Sequence, residues 1–168
     1  MFDFGSLKML IESKSSLLKL DAKQQVPNLE SVEKFFNNTM RRAYKQLSSS
    51  YERLKGTCNV PIVKIILLYD EFSNTSIIEL SMGEIFEQDP SCYVMTIREF
   101  EMLLYIHHND KTTESTIMDK ILESIASGGE RKNLGTIYSD LAIYENLHFN
   151  EKINYFSKFS EYIEKNLK

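Results

Sequence analysis

Glu12, Ser13 and Lys14 close an apolar run that begins at Leu7 and is interrupted only by Lys8. The run is too short for a stable helix and reads as a strand. Strand side chains alternate between faces, so Glu12 and Lys14 point the same way. Asp3 lies upstream, with eight residues between it and Glu12. Gly5-Ser6 predicts a tight turn, which makes Phe2-Asp3-Phe4 the stub of a partner strand and brings Asp3 alongside Glu12 and Lys14. Two carboxylates and an ammonium at one sheet edge suit a hard divalent cation. Mg²⁺ uses one or two carboxylates and keeps several waters. The ion lowers the pKa of a bound water and stabilises charge on a phosphoryl oxygen, while the lysine orients or helps deprotonate that water.

The elements that would position these groups are legible along the chain. Residues 17 to 26 form an unassigned linker. Pro27 suits a helix entry, with Asn28 or Ser31 as the cap. Leu29, Val32, Phe35, Phe36, Met40, Ala43, Leu47, Tyr51 and Leu54 follow at helical spacing, and Gly56 stops the helix. Val60 to Tyr69 is rich in Ile and Val and predicts a buried strand of a parallel or mixed sheet. Ile77 to Phe86 fits a short helix slightly better than a strand. Cys92 to Met95 reads as a strand. Thr96-Ile97-Arg98-Glu99 is a capping box that opens a helix through about His107. Further helices are expected over Thr113–Ser127, Tyr138–Glu145 and Asn150–Leu167. The last carries an apolar stripe of Ile153, Phe156, Phe159, Tyr162 and Ile163. Strands alternating with helices predict an α/β fold with a small mixed sheet flanked by helices and a helical C-terminal appendage.

This arrangement resembles the PD-(D/E)xK, or restriction-endonuclease-like, nuclease superfamily: Asp3, then Glu12-Ser13-Lys14 after an apolar strand, then a long helix and another core strand. Several branches of that family carry a glutamine on the helix, and Ala43-Tyr44-Lys45-Gln46-Leu47 looks like such a segment. The glutamine-to-tyrosine spacing here, Gln46 to Tyr51, is one residue longer than the pattern of one branch. The resemblance covers about residues 1 to 108, as a restriction-endonuclease-like core, and leaves residues 109 to 168 as the helical appendage packed on it. It implies Mg²⁺ (or Mn²⁺) as cofactor, held by Asp3, Glu12 and the Ser13 carbonyl. Lys14 would position the attacking water and Gln46 would orient the site. It implies hydrolysis of nucleic-acid phosphodiesters, with DNA favoured over RNA, in a bacterial or phage defence setting. Family cores place a helix and a strand before the first acidic residue, whereas two residues precede Asp3 here. A longer chain, a second copy or a partner subunit would complete the fold. Otherwise the site is degenerate, and the domain serves as a protein-interaction or regulatory subunit.

Arg41, Arg42 and Lys45 form the one compact basic cluster in the sequence. With Tyr44 beside them they could meet a phosphate backbone, and a solvated helix face is the plain alternative. Asp21-Ala22-Lys23 and Glu130-Arg131-Lys132 share the acid-x-lysine form; the first follows a short apolar run and is the stronger rival. Asp70-Glu71 ends the most apolar strand, where ligands often bind in open α/β sheets. His107 and His108 are adjacent, so on a helix they diverge by about 100° and cannot readily share one ion. His148 stands alone. Neither a glycine-rich phosphate loop nor a Gly-x-Ser-x-Gly elbow is present.

Composition bounds these options. The chain has 168 residues, 42% of them hydrophobic and 26% charged, as expected of one globular domain. Its two cysteines cannot build a disulfide framework, which points to the reducing cytoplasm. No stretch approaches the length of a bilayer span, and the first residues do not read as a secretory signal. The net charge of −4 makes the whole molecule a poor polyanion binder, so any nucleic-acid contact must come from a local basic patch.

Overall fold

A computed structural model describes residues 1–14, 28–69, 75–128 and 134–141. The first strand, β1 (Phe2–Asp3), is a two-residue stub. Gly5, at φ +81°, makes the turn into β2 (Lys8–Lys14), using a left-handed conformation that costs glycine little. Asn28 then caps α1 (Leu29–Phe35), its side chain accepting the Ser31 N–H at 3.0 Å. The helix runs on through a π-helical turn at Phe36–Met40 into α2 (Arg41–Leu54). The π turn adds one residue to the backbone ring. Phe36, Met40, Ala43 and Leu47 all lie on the buried side of the helix. The remaining elements are β3 (Ile62–Leu68), α3 (Thr75–Gln88), β4 (Cys92–Thr96), α4 (Ile97–Asn109), α5 (Lys111–Ala126) and α6 (Leu134–Asp140).

The strands lie in the order β1-β2-β3-β4, with β1 antiparallel to β2 and the other pairs parallel. The fold is α/β, with a four-stranded mixed sheet flanked by helices. The parallel register is direct: Leu10, Lys64 and Cys92 share a level, and so do Glu12, Ile66 and Val94, and Lys14, Leu68 and Thr96. Even-numbered side chains of β2, β3 and β4 therefore share the face covered by α1 and α2. Ile66, Leu68, Cys92 and Val94 pack there against Val32, Phe36, Met40, Ala43, Leu47, Met82 and Phe86. Odd-numbered side chains face the other helical layer. Met9, Val63, Ile65, Leu67, Tyr93 and Met95 meet Phe100, Leu103, Ile106, Ile117, Met118, Ile121, Ile137 and Tyr138.

With helices on both sides, β3 is buried at every position, which is why its sequence is a continuous apolar run rather than an alternation. Each large aliphatic side chain buried there contributes about 1.5–3 kcal/mol. The Tyr93 hydroxyl donates to the Ile121 carbonyl at 3.3 Å and the Tyr138 hydroxyl to that of Glu99 at 3.0 Å, tying α5 to the sheet and α6 to α4. The buried faces of α4 and α5 belong to one core, so α5 is a layer of the sandwich that also contains residues 1–108. The helix near Tyr138 begins earlier than its apolar spacing suggests, at Leu134. The expected helix over Asn150–Leu167 lies outside the described residues. Among the described residues, no helix is long and apolar enough to cross a membrane.

Candidate functional site

The carboxyl end of β2 carries Glu12 and Lys14 on the even face, where the end of the sheet opens beside α2. Lys14 Nζ lies 2.7 Å from Glu12 Oε1 and donates to Gln46 Oε1, also at 2.7 Å. Strand alternation sets the first contact, since the two residues are two apart in β2. The second joins two elements: α2 packs across β2 and β3, and Gln46 lies one position before the buried Leu47. The Glu12 and Lys14 side chains keep 30% and 19% of their surface exposed, and Gln46 is exposed, so the cluster is accessible from solvent. Glu12 Oε2 carries no hydrogen bond among the described residues.

Asp3 does not join this cluster. The ladder pairs Asp3 with Lys8 and Phe2 with Met9, so β1 ends level with the start of β2. Glu12 lies four residues beyond Lys8, about 13 Å along the strand. The Asp3 carboxylate instead accepts the Gly5 N–H at 2.9 Å and pairs with Lys8 Nζ at 3.3 Å. The Gly5 N–H, followed by Lys8, holds its pKa below the usual value. The expectation that the turn would bring Asp3 alongside Glu12 is thus corrected by the register: the turn closes too tightly and too early in β2. Ser13 projects to the opposite face of the sheet, so only its carbonyl could join the site.

Among the described residues no group of three or more His, Cys, Asp or Glu side chains could hold a metal ion. Of the two carboxylates expected to hold a divalent ion of the Mg²⁺ kind, Glu12 alone stands at this end of β2. Glu12 would offer one carboxylate, already paired with Lys14, and the remaining positions would fall to carbonyl, water and substrate oxygens. Asp3 cannot supply a second carboxylate to the same ion from its place beside Lys8.

Arg41, Arg42 and Lys45 are all exposed on the first turns of α2. Arg42 stands four residues before Gln46 and therefore on its ridge, whereas Arg41 and Lys45 share the neighbouring one. His107 is engaged elsewhere. Its Nδ1 lies 3.0 Å from Glu114 Oε2 and 3.1 Å from Lys111 Nζ, and its ring meets Phe4 edge-on with centroids 5.1 Å apart. His108 is exposed. Asp21-Ala22-Lys23, Asp70-Glu71, Glu130-Arg131-Lys132, His148 and the stripe Ile153–Ile163 lie outside the described residues.

A second polar cluster sits inside the same helical face, and the sequence argument passed over it. Lys64 is buried in the middle of β3, with its Nζ 2.5 Å from Asp89 Oδ2 and 4.3 Å from the centre of the Tyr51 ring. Ser91 donates from both its hydroxyl, at 2.7 Å, and its N–H, at 3.2 Å, to Asp89 Oδ1. The Tyr44 hydroxyl also bonds to Asp89. Burial raises the pKa of Tyr44. Burial also pushes Asp89 up, but Lys64, Ser91 and Tyr44 together outweigh it and hold the carboxyl below its usual value. The signal was present as a single lysine inside the apolar run Val60–Tyr69. A buried lysine demands a carboxylate partner, yet its partner is 25 residues away and emerges only from the β3–β4 register.

Searched against protein-family models, curated proteins and solved structures, the chain has no significant match.

Proposed function

We propose that this chain is a restriction-endonuclease-like domain that acts on nucleic-acid phosphodiesters, DNA in preference to RNA. The observation that carries the proposal is the Lys14 ammonium held between Glu12 and Gln46, at 2.7 Å from each, at the solvent-accessible carboxyl end of β2. The order β1, β2 with Glu-x-Lys, a long helix bearing a glutamine, then β3 parallel to β2 supports it as well. A divalent ion such as Mg²⁺, held by Glu12 and the Ser13 carbonyl, would supply Lewis-acid stabilisation of the phosphoryl oxygens. Gln46 accepts a hydrogen bond from Lys14 and so fixes the direction of the ammonium. Lys14, oriented in this way, holds the attacking water in line with the scissile bond, and its charge offsets the negative charge developing on the phosphoryl group. The exposed Arg41, Arg42 and Lys45 hold the flanking backbone. Activity on nucleic acid belongs in the cytoplasm, where Cys58 and Cys92 stay reduced.

The placement of Asp3 beside Lys8 favours a second reading, in which the same face binds without cleaving and the chain serves as a regulatory or interaction subunit. Incubating DNA with the protein and Mg²⁺ separates the two. Under the first reading the wild type nicks or degrades the DNA, EDTA stops it, and Lys14→Ala and Glu12→Ala are inactive while folding normally. Absence of cleavage by the wild type with Mg²⁺ or Mn²⁺, together with retained DNA binding, overturns the nuclease in favour of the binding module.

A further inference from the structure

The exposed ridge of α2 that carries Gln46 continues beyond the cluster in both directions. Residues 42, 46, 49 and 53 fall within about 60° of one another around the helix axis at 3.6 residues per turn. They are Arg42, Gln46, Ser49 and Arg53, and all four are exposed. No acid stands among them. The one acidic residue of α2, Glu52, is turned about 100° from Arg53 and is paired with Lys55. Arg42 carries no ion pair among the described residues, and Arg53 donates to the neutral Ser49 hydroxyl at 3.4 Å. Two arginines without carboxylate partners among the described residues thus flank the glutamine that holds Lys14. This local arrangement runs against a net charge of −4 for the chain.

Resting on the phosphodiester reading above, we infer that this ridge is a track for the phosphates of one nucleic-acid strand, with Arg53 as its far contact and Arg42 as its near one. The eleven residue steps from Arg42 to Arg53 span about 16 Å at 1.5 Å each. Guanidinium groups suit the ends of such a track, since their planar fork binds phosphate oxygens in pairs. The Ser49 hydroxyl is a neutral donor between them. The ridge contains no aromatic platform on which bases could stack, so it holds the backbone without reading sequence.

Fluorescence anisotropy of a labelled DNA, single-stranded and duplex, with the full chain in EDTA tests the track apart from cleavage. Arg53→Gln and Arg42→Gln are each expected to weaken binding about threefold to tenfold at low salt. Each should also lower the slope of log affinity against log salt by about one. Lys120→Gln is the control, since Lys120 is on α5 and paired with Glu123, and it should leave both quantities unchanged. If the wild type binds DNA but the two arginine variants bind as it does, with unaltered salt slopes, the track is overturned while the Lys14 site stands. If polyglutamate competes as well as DNA does, the nucleic-acid assignment of the ridge is overturned. A wild type that neither binds nor cleaves nucleic acid overturns both proposals.

Discussion

Lys14 and Gln46, 32 residues apart in the chain, meet at 2.7 Å because α2 crosses the carboxyl end of β2. The same ammonium contacts Glu12, so one side chain links strand and helix at the carboxyl end of β2. A double-mutant cycle on Lys14→Ala and Gln46→Ala, read by chemical denaturation, is expected to give a coupling of about 0.5–1 kcal/mol. That is the range for a partly exposed charge-assisted bond. Additive effects would show that the contact contributes nothing in solution. Neither single variant should lose more than about 1 kcal/mol, because neither side chain belongs to the core.

The Lys64–Asp89 pair should behave differently, since Lys64 is buried and the Asp89 side chain keeps only 12% of its surface exposed. Lys64→Met leaves the Asp89 carboxylate without its main counter-charge and is expected to cost about 3–5 kcal/mol. Replacing both, as Lys64→Met with Asp89→Leu, should recover most of that loss, because the uncompensated charge is then gone. Urea denaturation of the three variants checks the order. A double variant as unstable as the single one would show that packing, rather than charge, sets the cost.

Acid should destabilise the fold through Asp89. Its folded-state pKa lies below 3.8, the ordinary value that its unfolded form retains. The folded state therefore binds fewer protons than the unfolded chain in that window. The contribution is complete above the unfolded value and is lost as pH falls through the lower folded one. Denaturation free energies measured from neutrality down to about pH 3 should decline more gently in Asp89→Asn than in the wild type. Asp3 and Asp110 are held low as well, so some acid dependence should persist in the variant. An unchanged slope in Asp89→Asn would remove Asp89 from the account.

The turn from β4 into α4 rests on a reciprocal cap. The Glu99 N–H donates to Thr96 Oγ1 at 3.2 Å, and the Thr96 N–H donates to Glu99 Oε2 at 2.7 Å. Thr96→Ala is expected to lower stability by about 1 kcal/mol, and Thr96→Ser to leave it nearly unchanged, because the hydroxyl is the working group. Thermal or urea denaturation distinguishes the two variants. Equal losses would assign the effect to the threonine methyl instead.

Much of the architecture was legible before folding. The apolar run of β3, a helix cap at Asn28 or Ser31, the helical spacing from Leu29 to Leu54 and the capping box at Thr96 are local patterns. Backbone hydrogen bonding and side-chain periodicity read them without reference to distant residues. That Glu12 and Lys14 share a face, and that Gln46 borders the buried stripe of its helix, followed from the same rules.

Tertiary structure alone decided how far the first turn reaches. Composition predicts a turn at Gly5-Ser6, but register depends on which pairs bond across it. The observed pairing of Asp3 with Lys8 leaves the acid about 13 Å short of Glu12 along the strand. The partner of Lys64 was hidden for the same reason: Asp89 becomes its neighbour through a parallel crossover, which local periodicity does not encode. The amino-acid order thus determined which residues share a face within each element. The packing of elements against one another determined which charges meet, because distances between strands and helices are set by burial of their apolar faces and not by spacing along the chain.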